Sequence, residues 1–138
     1  MRVLIVEDEA VVAWMLADCL ERAGHEVVGP AATMAEALAL CEAAVPLPEL
    51  AVLDIDLRDG SSGVDVARAL RERWDVPSIF ASGQAEEARR ARDVALGCVR
   101  KPYAPEAVVR CVEAAREVMD GRTPRHLPAG LELFSGAE

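Results

Sequence analysis

Reactive side chains follow three short apolar segments of this 138-residue chain. Glu7 and Asp8 come directly after the first segment, Asp54 and Asp56 close the second, and Lys101 follows the third. If these segments are neighbouring parallel strands, their carboxyl ends meet at one edge of a sheet and gather the groups in one pocket. Two carboxylates about 4 Å apart repel by roughly 4 kcal/mol at an effective dielectric near 20. Mg²⁺ relieves such repulsion and binds phosphate oxygens as well, so the pattern predicts phosphoryl chemistry on Mg²⁺.

Strand and helix patterns alternate along the chain and predict five βα units. The spacing of apolar residues predicts strands over 2–6, 26–29, 50–54, 77–81 and 97–100. It predicts helices over 10–23, 33–44, 64–74, 86–95 and 105–119. The fourth helix is the least apolar, so we expect it to be the least firmly anchored. Right-handed crossovers between such units give an α/β fold, a doubly wound parallel sheet with helices on both faces.

Composition excludes several classes of protein. A net charge of -9 argues against general binding to nucleic acid or to anionic membranes. No apolar run is long enough for a membrane span or a signal peptide, so we expect a cytoplasmic protein. The four cysteines include no Cys-x-x-Cys pair, which favours buried thiols in a reducing compartment over a disulfide or a zinc site.

The length of the chain predicts one domain, which we place over residues 1–120. Residues 121–138 are too few for a second domain and form a C-terminal tail. Leu131, Leu133 and Phe134 in this tail could dock on the body or on a partner. A frayed, flexible terminus is the favoured prediction.

Taken in chain order, the reactive residues resemble the signature of the response regulator receiver domain of two-component signalling. That signature is an acidic pair, an acid ending the third strand, a hydroxyl ending the fourth and a Lys-Pro pair after the fifth. These positions are held here by Glu7, Asp8, Asp54, Ser82, Lys101 and Pro102. The resemblance covers about residues 2–119 and implies a flavodoxin-like (βα)5 fold with strand order 2-1-3-4-5.

The resemblance implies a Mg²⁺ site at the predicted edge of the sheet. Asp8 and Asp54 would bind the ion through their carboxylates, and Asp56 through its backbone carbonyl. Glu7 would help to hold the ion through water. This assignment agrees with the ligand preference of Mg²⁺ for carboxylates, carbonyls and water.

The resemblance also assigns the phosphoryl chemistry. Asp54 would be the phosphoacceptor, which attacks phosphohistidine on a partner kinase and becomes an acyl phosphate. The Ser82 hydroxyl would bind the new phosphoryl group and draw the following loop inward. Lys101 would pair with Asp54 and then with a phosphoryl oxygen, aimed into the pocket by a cis bond before Pro102. Such roles suit phosphoryl transfer, which depends on positioning and charge neutralisation more than on covalent help.

Two further features bear on this resemblance. Cys98 stands where the family usually has Tyr or Phe in the fifth strand, so the usual coupling of Ser82 to an aromatic ring is put in question. The segment Phe80-Ala81-Ser82-Gly83 is similar to the Phe-Ala-Thr-Gly signature of a receiver subgroup common in alphaproteobacteria. That subgroup tends to lack the usual switch and often works with kinases of the HWE and related classes.

The function implied by the resemblance is that of a stand-alone receiver. Its phosphodonor would be a sensor histidine kinase or a histidine phosphotransfer protein, and its downstream target would be another protein. The resemblance implies no binding of nucleic acid or membrane and leaves a homodimer open. It implies a switch that dephosphorylates itself rather than a conventional enzyme. Trp14, on the polar side of the first helix, either anchors a partner helix or lies flat on its own surface.

Two enzymatic or metal-binding alternatives fit parts of the pattern. The segment 53–56 resembles the Asp-x-Asp strand of haloacid dehalogenase-type phosphatases, but those proteins place that strand first and the acid pair last. A Toprim-like metal domain would use Glu7 with Asp54 and Asp56, but it expects Gly where this chain has Asp8, and a DNA-facing surface. Acetyl phosphate with Mg²⁺ separates the three. A receiver gains one phosphoryl group, a phosphatase consumes the compound steadily, and a Toprim domain does neither.

Overall fold

The computed structural model describes residues 1–57, 60 and 62–134, which form one sheet between two layers of helices. Its strands are β1 (Arg2–Val6), β2 (Glu26–Ala31), β3 (Leu50–Asp54), β4 (Ser78–Ser82), β5 (Gly97–Arg100) and β6 (Leu131–Leu133). Its helices are α1 (Ala10–Arg22), α2 (Met34–Ala43), α3 (Gly63–Trp74), α4 (Ala85–Arg89) and α5 (Pro105–Met119).

The sheet runs in the order β2-β1-β3-β4-β5-β6, with β1 to β5 parallel. The predicted flavodoxin-like fold and its strand order 2-1-3-4-5 are therefore confirmed. Every residue of β3 and β4 is buried, because helices cover both faces of these central strands. The register pairs Asp54 with Ala81 and Ser82 with Arg100, so the carboxyl ends of the central strands line up at one edge.

Two apolar cores, one on each face of the sheet, fix the helices. On one face, Leu16 and Leu20 of α1 join Val108 and Val112 of α5 against the sheet. On the other face, α2, α3 and α4 contribute a second cluster that includes the fully buried Leu70. Burying a side chain of this size stabilises a protein by about 1.5–3 kcal/mol, so the two cores hold the strand ends rigidly in place.

Three of the four cysteines are buried, in agreement with the prediction of buried thiols. Cys41, Cys98 and Cys111 lie in the cores and Cys19 is half-buried, and all four are free thiols. Within the described part of the chain, no helix is both long and apolar enough to cross a bilayer.

The fourth helix is shorter than predicted. The sequence pattern indicated a helix over 86–95, but α4 ends at Arg89. Beyond it, the N–H groups of Arg92 and Val94 bond to carbonyls three residues back, at 3.2 and 3.0 Å, which winds the chain more tightly than an α-helix. Ala91 and Val94 remain buried, so the apolar spacing continues through these turns and imitates a longer helix.

The C-terminal tail docks on the sheet as β6, and the prediction of a frayed terminus is wrong for residues 131–134. β6 pairs antiparallel with β5, opposing Leu133 to Gly97. Leu131 and Phe134 pack against the cores on opposite faces of the sheet. The strand covers backbone groups of β5 that would otherwise form an open edge. Three residues are too few for an alternating pattern to be recognised in the sequence.

Gly63 allows α3 to begin directly against the end of β3. A Cβ atom at this position would lie 2.7 Å from the Cα atom of Ile55 and 3.0 Å from the carbonyl carbon of Asp54. Because backbone atoms cannot turn away, we expect Gly63→Ala to lower the free energy of unfolding by about 1–3 kcal/mol, measured in urea. Gly83→Ala is the control, since a Cβ atom there meets nothing within 4 Å. Equal urea midpoints for the two variants would contradict this prediction.

Candidate functional site

Three carboxylates meet at the edge where β1 and β3 end. One oxygen from each of Glu7, Asp8 and Asp54 lies within 4.8 Å of the other two. Glu7 and Asp54 are each only 5% exposed, whereas Asp8 is half-buried. The structure thus brings together three of the acids that the sequence predicted for the metal site.

Asp54 is held by two donors that share one of its oxygens. Lys101 Nζ donates to Asp54 Oδ1 at 2.8 Å, and the backbone N–H of Asp56 donates to the same atom at 3.0 Å. Burial lowers the pKa of Lys101, but the hydrogen bond and charge of Asp54, with the charges of Glu7 and Asp56, outweigh it and leave that pKa raised. Lys101 therefore remains a full positive charge beside the Asp54 carboxylate.

The cluster has more negative than positive groups. Burial raises the pKa of the Glu7 carboxyl above its ordinary value, and the charge and hydrogen bond of Asp54 raise it further. The Glu9 N–H, which donates to Glu7 Oε2 at 3.0 Å, and the charge of Lys101 act in the opposite direction. Burial, the largest of these effects, and Asp54 together outweigh the two opposing effects, so the pKa of Glu7 stays raised.

A hard divalent cation fits this donor set, because every side-chain ligand offered is a carboxylate oxygen. Asp8 and Asp54 supply such oxygens at the cluster, with Glu7 beside them. The side chain of Asp56 is exposed, but its backbone is tied to the site through Asp54 and forms an isolated bridge with Ser62. The backbone N–H of Asp56 is thus held at Asp54, and the metal-binding role of its carbonyl stays a prediction.

Ser82 ends β4 and is bound to the start of the next helix. Its Oγ donates to the Gln84 carbonyl and accepts from the Gln84 N–H, each at 2.9 Å. Gln84 is the residue immediately before α4, and Ser82 is 1% exposed. Ser82 thus follows Ala81, the register partner of Asp54, and its hydrogen bonds hold the β4–α4 loop.

A cavity of about 460 Å³ opens beside these groups. It is lined by Glu7, Glu9, Val12, Lys101, Pro102 and Tyr103. The peptide bond before Pro102 is cis, as predicted. Sequence reasoning missed Tyr103, although its position directly after the Lys-Pro pair could have indicated it. Burial, and then the nearby acids Glu7, Asp54 and Glu9, raise the pKa of the Tyr103 phenol, which keeps it neutral.

An exposed apolar patch lies on α1 next to the cavity. Val11, Trp14 and Met15 are 71%, 65% and 40% exposed, and Val12 of the same helix lines the cavity. Trp14 is thus exposed on α1, and its two predicted roles, an anchor for a partner helix or a ring lying on its own surface, both remain open.

Comparisons with known proteins agree with this geometry. Residues 3–113 match the family model described as the response regulator receiver domain. Phyllosphere-induced regulator PhyR of Methylorubrum extorquens is 34% identical over 114 residues, which are 82% of this chain and 42% of that protein. Transcriptional regulatory protein PdtaR of Mycobacterium tuberculosis is 34% identical over 119 residues, 83% of this chain and 56% of that protein. The chain spans about half the length of these curated relatives.

Solved structures give the same result. The response regulator PhyR of Brucella abortus is 34% identical with a TM-score of 0.68, over 87% of this chain and 52% of that one. A CheY-like receiver domain protein of Methanospirillum hungatei is 27% identical with a TM-score of 0.75, over 87% of this chain and 96% of that one. The repeated likeness to PhyR accords with the subgroup predicted from residues 80–83. With its fold, its acidic cluster and these matches in agreement, the chain belongs to the response regulator receiver domain family.

Proposed function

We propose that this chain is a phosphorylatable switch in which Asp54 accepts a phosphoryl group from a histidine kinase or a histidine phosphotransfer protein. The observation that carries the proposal is the 2.8 Å contact of Lys101 with Asp54 beside the three-acid cluster. An Asp54 oxygen forms a bond to phosphorus while the bond from phosphorus to the donor imidazole nitrogen breaks, and that nitrogen takes up a proton.

The residues around Asp54 suit this reaction because they can neutralise the negative charge of the carboxylate and of the phosphoryl group. Lys101 neutralises the Asp54 carboxylate at rest and can then bind a phosphoryl oxygen from nearly the same position. Asp8, Asp54 and the backbone carbonyl of Asp56 would hold Mg²⁺, with Glu7 assisting through water. When bound, Mg²⁺ supplies further positive charge to the phosphoryl oxygens.

The switch itself would operate through Ser82. Phosphorylation adds about -1.5 to -2 charges and three acceptor oxygens. The Ser82 hydroxyl would leave Gln84 and bind the phosphoryl group, which shifts the loop before α4. A change of this size biases an element whose two states differ by a few kcal/mol. The protein would act in the cytoplasm through protein contacts and return to rest by losing the phosphoryl group to water.

Acetyl phosphate with Mg²⁺, followed by intact mass measurement, tests the proposal. We expect one phosphoryl group per chain, none when the metal is chelated, and loss of the group with time. Steady consumption of acetyl phosphate without a retained group would identify a phosphatase of the haloacid dehalogenase type. Neither consumption nor a retained group would favour a Toprim-like metal domain.

The coupling role of Ser82 is tested by removing its hydroxyl. We expect Ser82→Ala to bind beryllofluoride, a mimic of the phosphoryl group, at Asp54, but to lose most of the resulting NMR shift in residues 84–89. Ser78→Ala is the control, because Ser78 is fully buried at the opposite end of the same strand. An unchanged shift of these amides in Ser82→Ala would show that the helix responds by another route.

The α1 patch is the surface that we propose for the phosphodonor. It lies on the helix whose Val12 lines the cavity, and its apolar side chains suit the apolar face of a partner helix. We expect Trp14→Ala to weaken binding of the cognate donor by about 10-fold or more, while phosphorylation by acetyl phosphate keeps its rate. A slower reaction with acetyl phosphate would show instead that Trp14 supports the pocket.

A further inference from the structure

Backbone hydrogen bonds fasten the C-terminal segment along the outer edge of β5. The N–H of Arg100 donates to the carbonyl of Gly130, and the N–H of Phe134 donates to the carbonyl of Leu96, both at 2.9 Å. These bonds lie at the two ends of the β5–β6 ladder. The chain therefore returns after α5 to complete its own sheet.

The edge of β5 has a glycine at a point where this segment approaches closely. At Gly97 a Cβ atom would overlap the carbonyl oxygen of Glu132 and lie 3.2 Å from the Cα atom of Leu133. Gly97 does not have a positive φ, so the turn geometry does not require a glycine here. The absence of a side chain is explained by the close approach of β6 instead.

A two-pronged ion pair ties the same segment to α4. Arg89 Nε and Nη2 donate to the two carboxylate oxygens of Glu132 at 2.8 and 2.7 Å. Arg89 is the last residue of α4, and Glu132 is the middle residue of β6. Both side chains are partly exposed, and ion pairs of that kind are weak. The contact therefore fixes the position of α4 relative to β6 but can be broken reversibly.

The other end of α4 is attached to the phosphorylation site. Ser82 binds the backbone of Gln84, and only four residues, 85–88, lie between Gln84 and Arg89. A shift of the β4–α4 loop toward Asp54 therefore displaces the helix that carries Arg89. The hydrogen bonds of Ser82, the backbone of α4 and the Arg89–Glu132 pair thus connect the end of β4 to the tail.

We propose that residues 130–134 form a strap that ties α4 to β5 at rest and is released when Ser82 turns to a phosphoryl group on Asp54. This inference rests on the proposed function and adds its regulation. The strap would replace the aromatic ring that receivers usually carry in the fifth strand. Here that position is Cys98, which is 3% exposed and lies opposite Glu132 in the ladder.

Release has a reciprocal consequence. If phosphorylation shifts the strap toward its released form by a given factor, then release of the strap by mutation must favour the phosphorylated state by the same factor. Release would also uncover the backbone of β5, an edge that can pair with a strand from another protein.

Amide hydrogen exchange on the full chain, with and without beryllofluoride and Mg²⁺, tests the proposal. The N–H groups of Arg100 and Phe134 report the strap, and we expect their exchange to accelerate by about 10-fold or more when beryllofluoride binds. Amides inside β3 should keep their protection. Beryllofluoride bound at Asp54 with no change at Arg100 and Phe134 would overturn the strap while leaving the proposed function intact. No binding at all would overturn both.

Two variants test the reciprocal effect by different means. Glu132→Gln removes the charge that Arg89 binds, and Gly97→Ala places a methyl group against β6. We expect both variants to bind beryllofluoride more tightly, Gly97→Ala by about 5-fold or better and Glu132→Gln by less, with resting exchange at Phe134 faster than in wild type. Glu72→Gln, at an exposed position on α3, is the charge-matched control. Wild-type affinity in Glu132→Gln with fast exchange at Phe134 would refute the coupling, even if Gly97→Ala fails to fold.

Discussion

Replacement of Asp54 by Asn is expected to abolish phosphoryl transfer from acetyl phosphate, by about 10⁴-fold or more, while the protein stays folded. The amide keeps the shape of the side chain and can still accept hydrogen bonds from Lys101 and the Asp56 N–H. It lacks the anionic oxygen that must bond to phosphorus. Intact mass after incubation with acetyl phosphate and Mg²⁺ measures the loss, and circular dichroism confirms the fold.

Asp56→Asn is the matched control for this experiment. The two residues lie two positions apart, but the side chain of Asp56 is exposed and its predicted role belongs to the backbone. The control variant should therefore still take up one phosphoryl group. Modification of Asp54→Asn to the wild-type extent would place the acceptor elsewhere and remove the basis of the proposed function.

The central sheet and the acid cluster were predictable because each depends on a strong local signal. β3 and β4 are buried on both faces, so they appear in the sequence as short runs of mostly apolar residues. In a parallel sheet such strands end at a common edge, and the groups that follow them must meet there. That rule brings Lys101 and Asp54, 47 positions apart, to the same edge, and the resemblance to receiver domains implied their contact.

The features that sequence reasoning missed depend on contacts between distant segments. β6 has three residues and is defined by its pairing with β5 rather than by its own pattern. Gly97 begins the predicted fifth strand, and nothing in the sequence around it requires a glycine. Only the close approach of Glu132 explains why this position has no side chain. α4 ends where the backbone hydrogen bonds change to a three-residue spacing. The buried residues beyond that point keep helical spacing, so their pattern in the sequence does not reveal the change.

Removal of the Asp8 charge is expected to stabilise the metal-free protein and to weaken its binding of Mg²⁺. In the metal-free protein, Asp8 adds a third negative charge within 4.8 Å of Glu7 and Asp54. Asp8→Asn should relieve part of this repulsion and raise the free energy of unfolding by about 1–3 kcal/mol. The same change removes a ligand from the proposed Mg²⁺ site. The affinity for Mg²⁺ should fall by about 100-fold or more, which corresponds to roughly 2.7 kcal/mol.

Thermal melting with and without Mg²⁺ measures both effects together. Wild-type protein should melt at a higher temperature when Mg²⁺ is added, because an ion that binds only the folded state stabilises it. Asp8→Asn should melt above wild type without metal and gain little from Mg²⁺ at the same concentration. Glu72→Gln removes one exposed acid from α3 and should respond to Mg²⁺ as wild type does. If Mg²⁺ raised the melting temperature of Asp8→Asn as much as that of wild type, the ion would have to bind away from the cluster. The three acids would then not form the Mg²⁺ site that the proposed phosphoryl transfer requires.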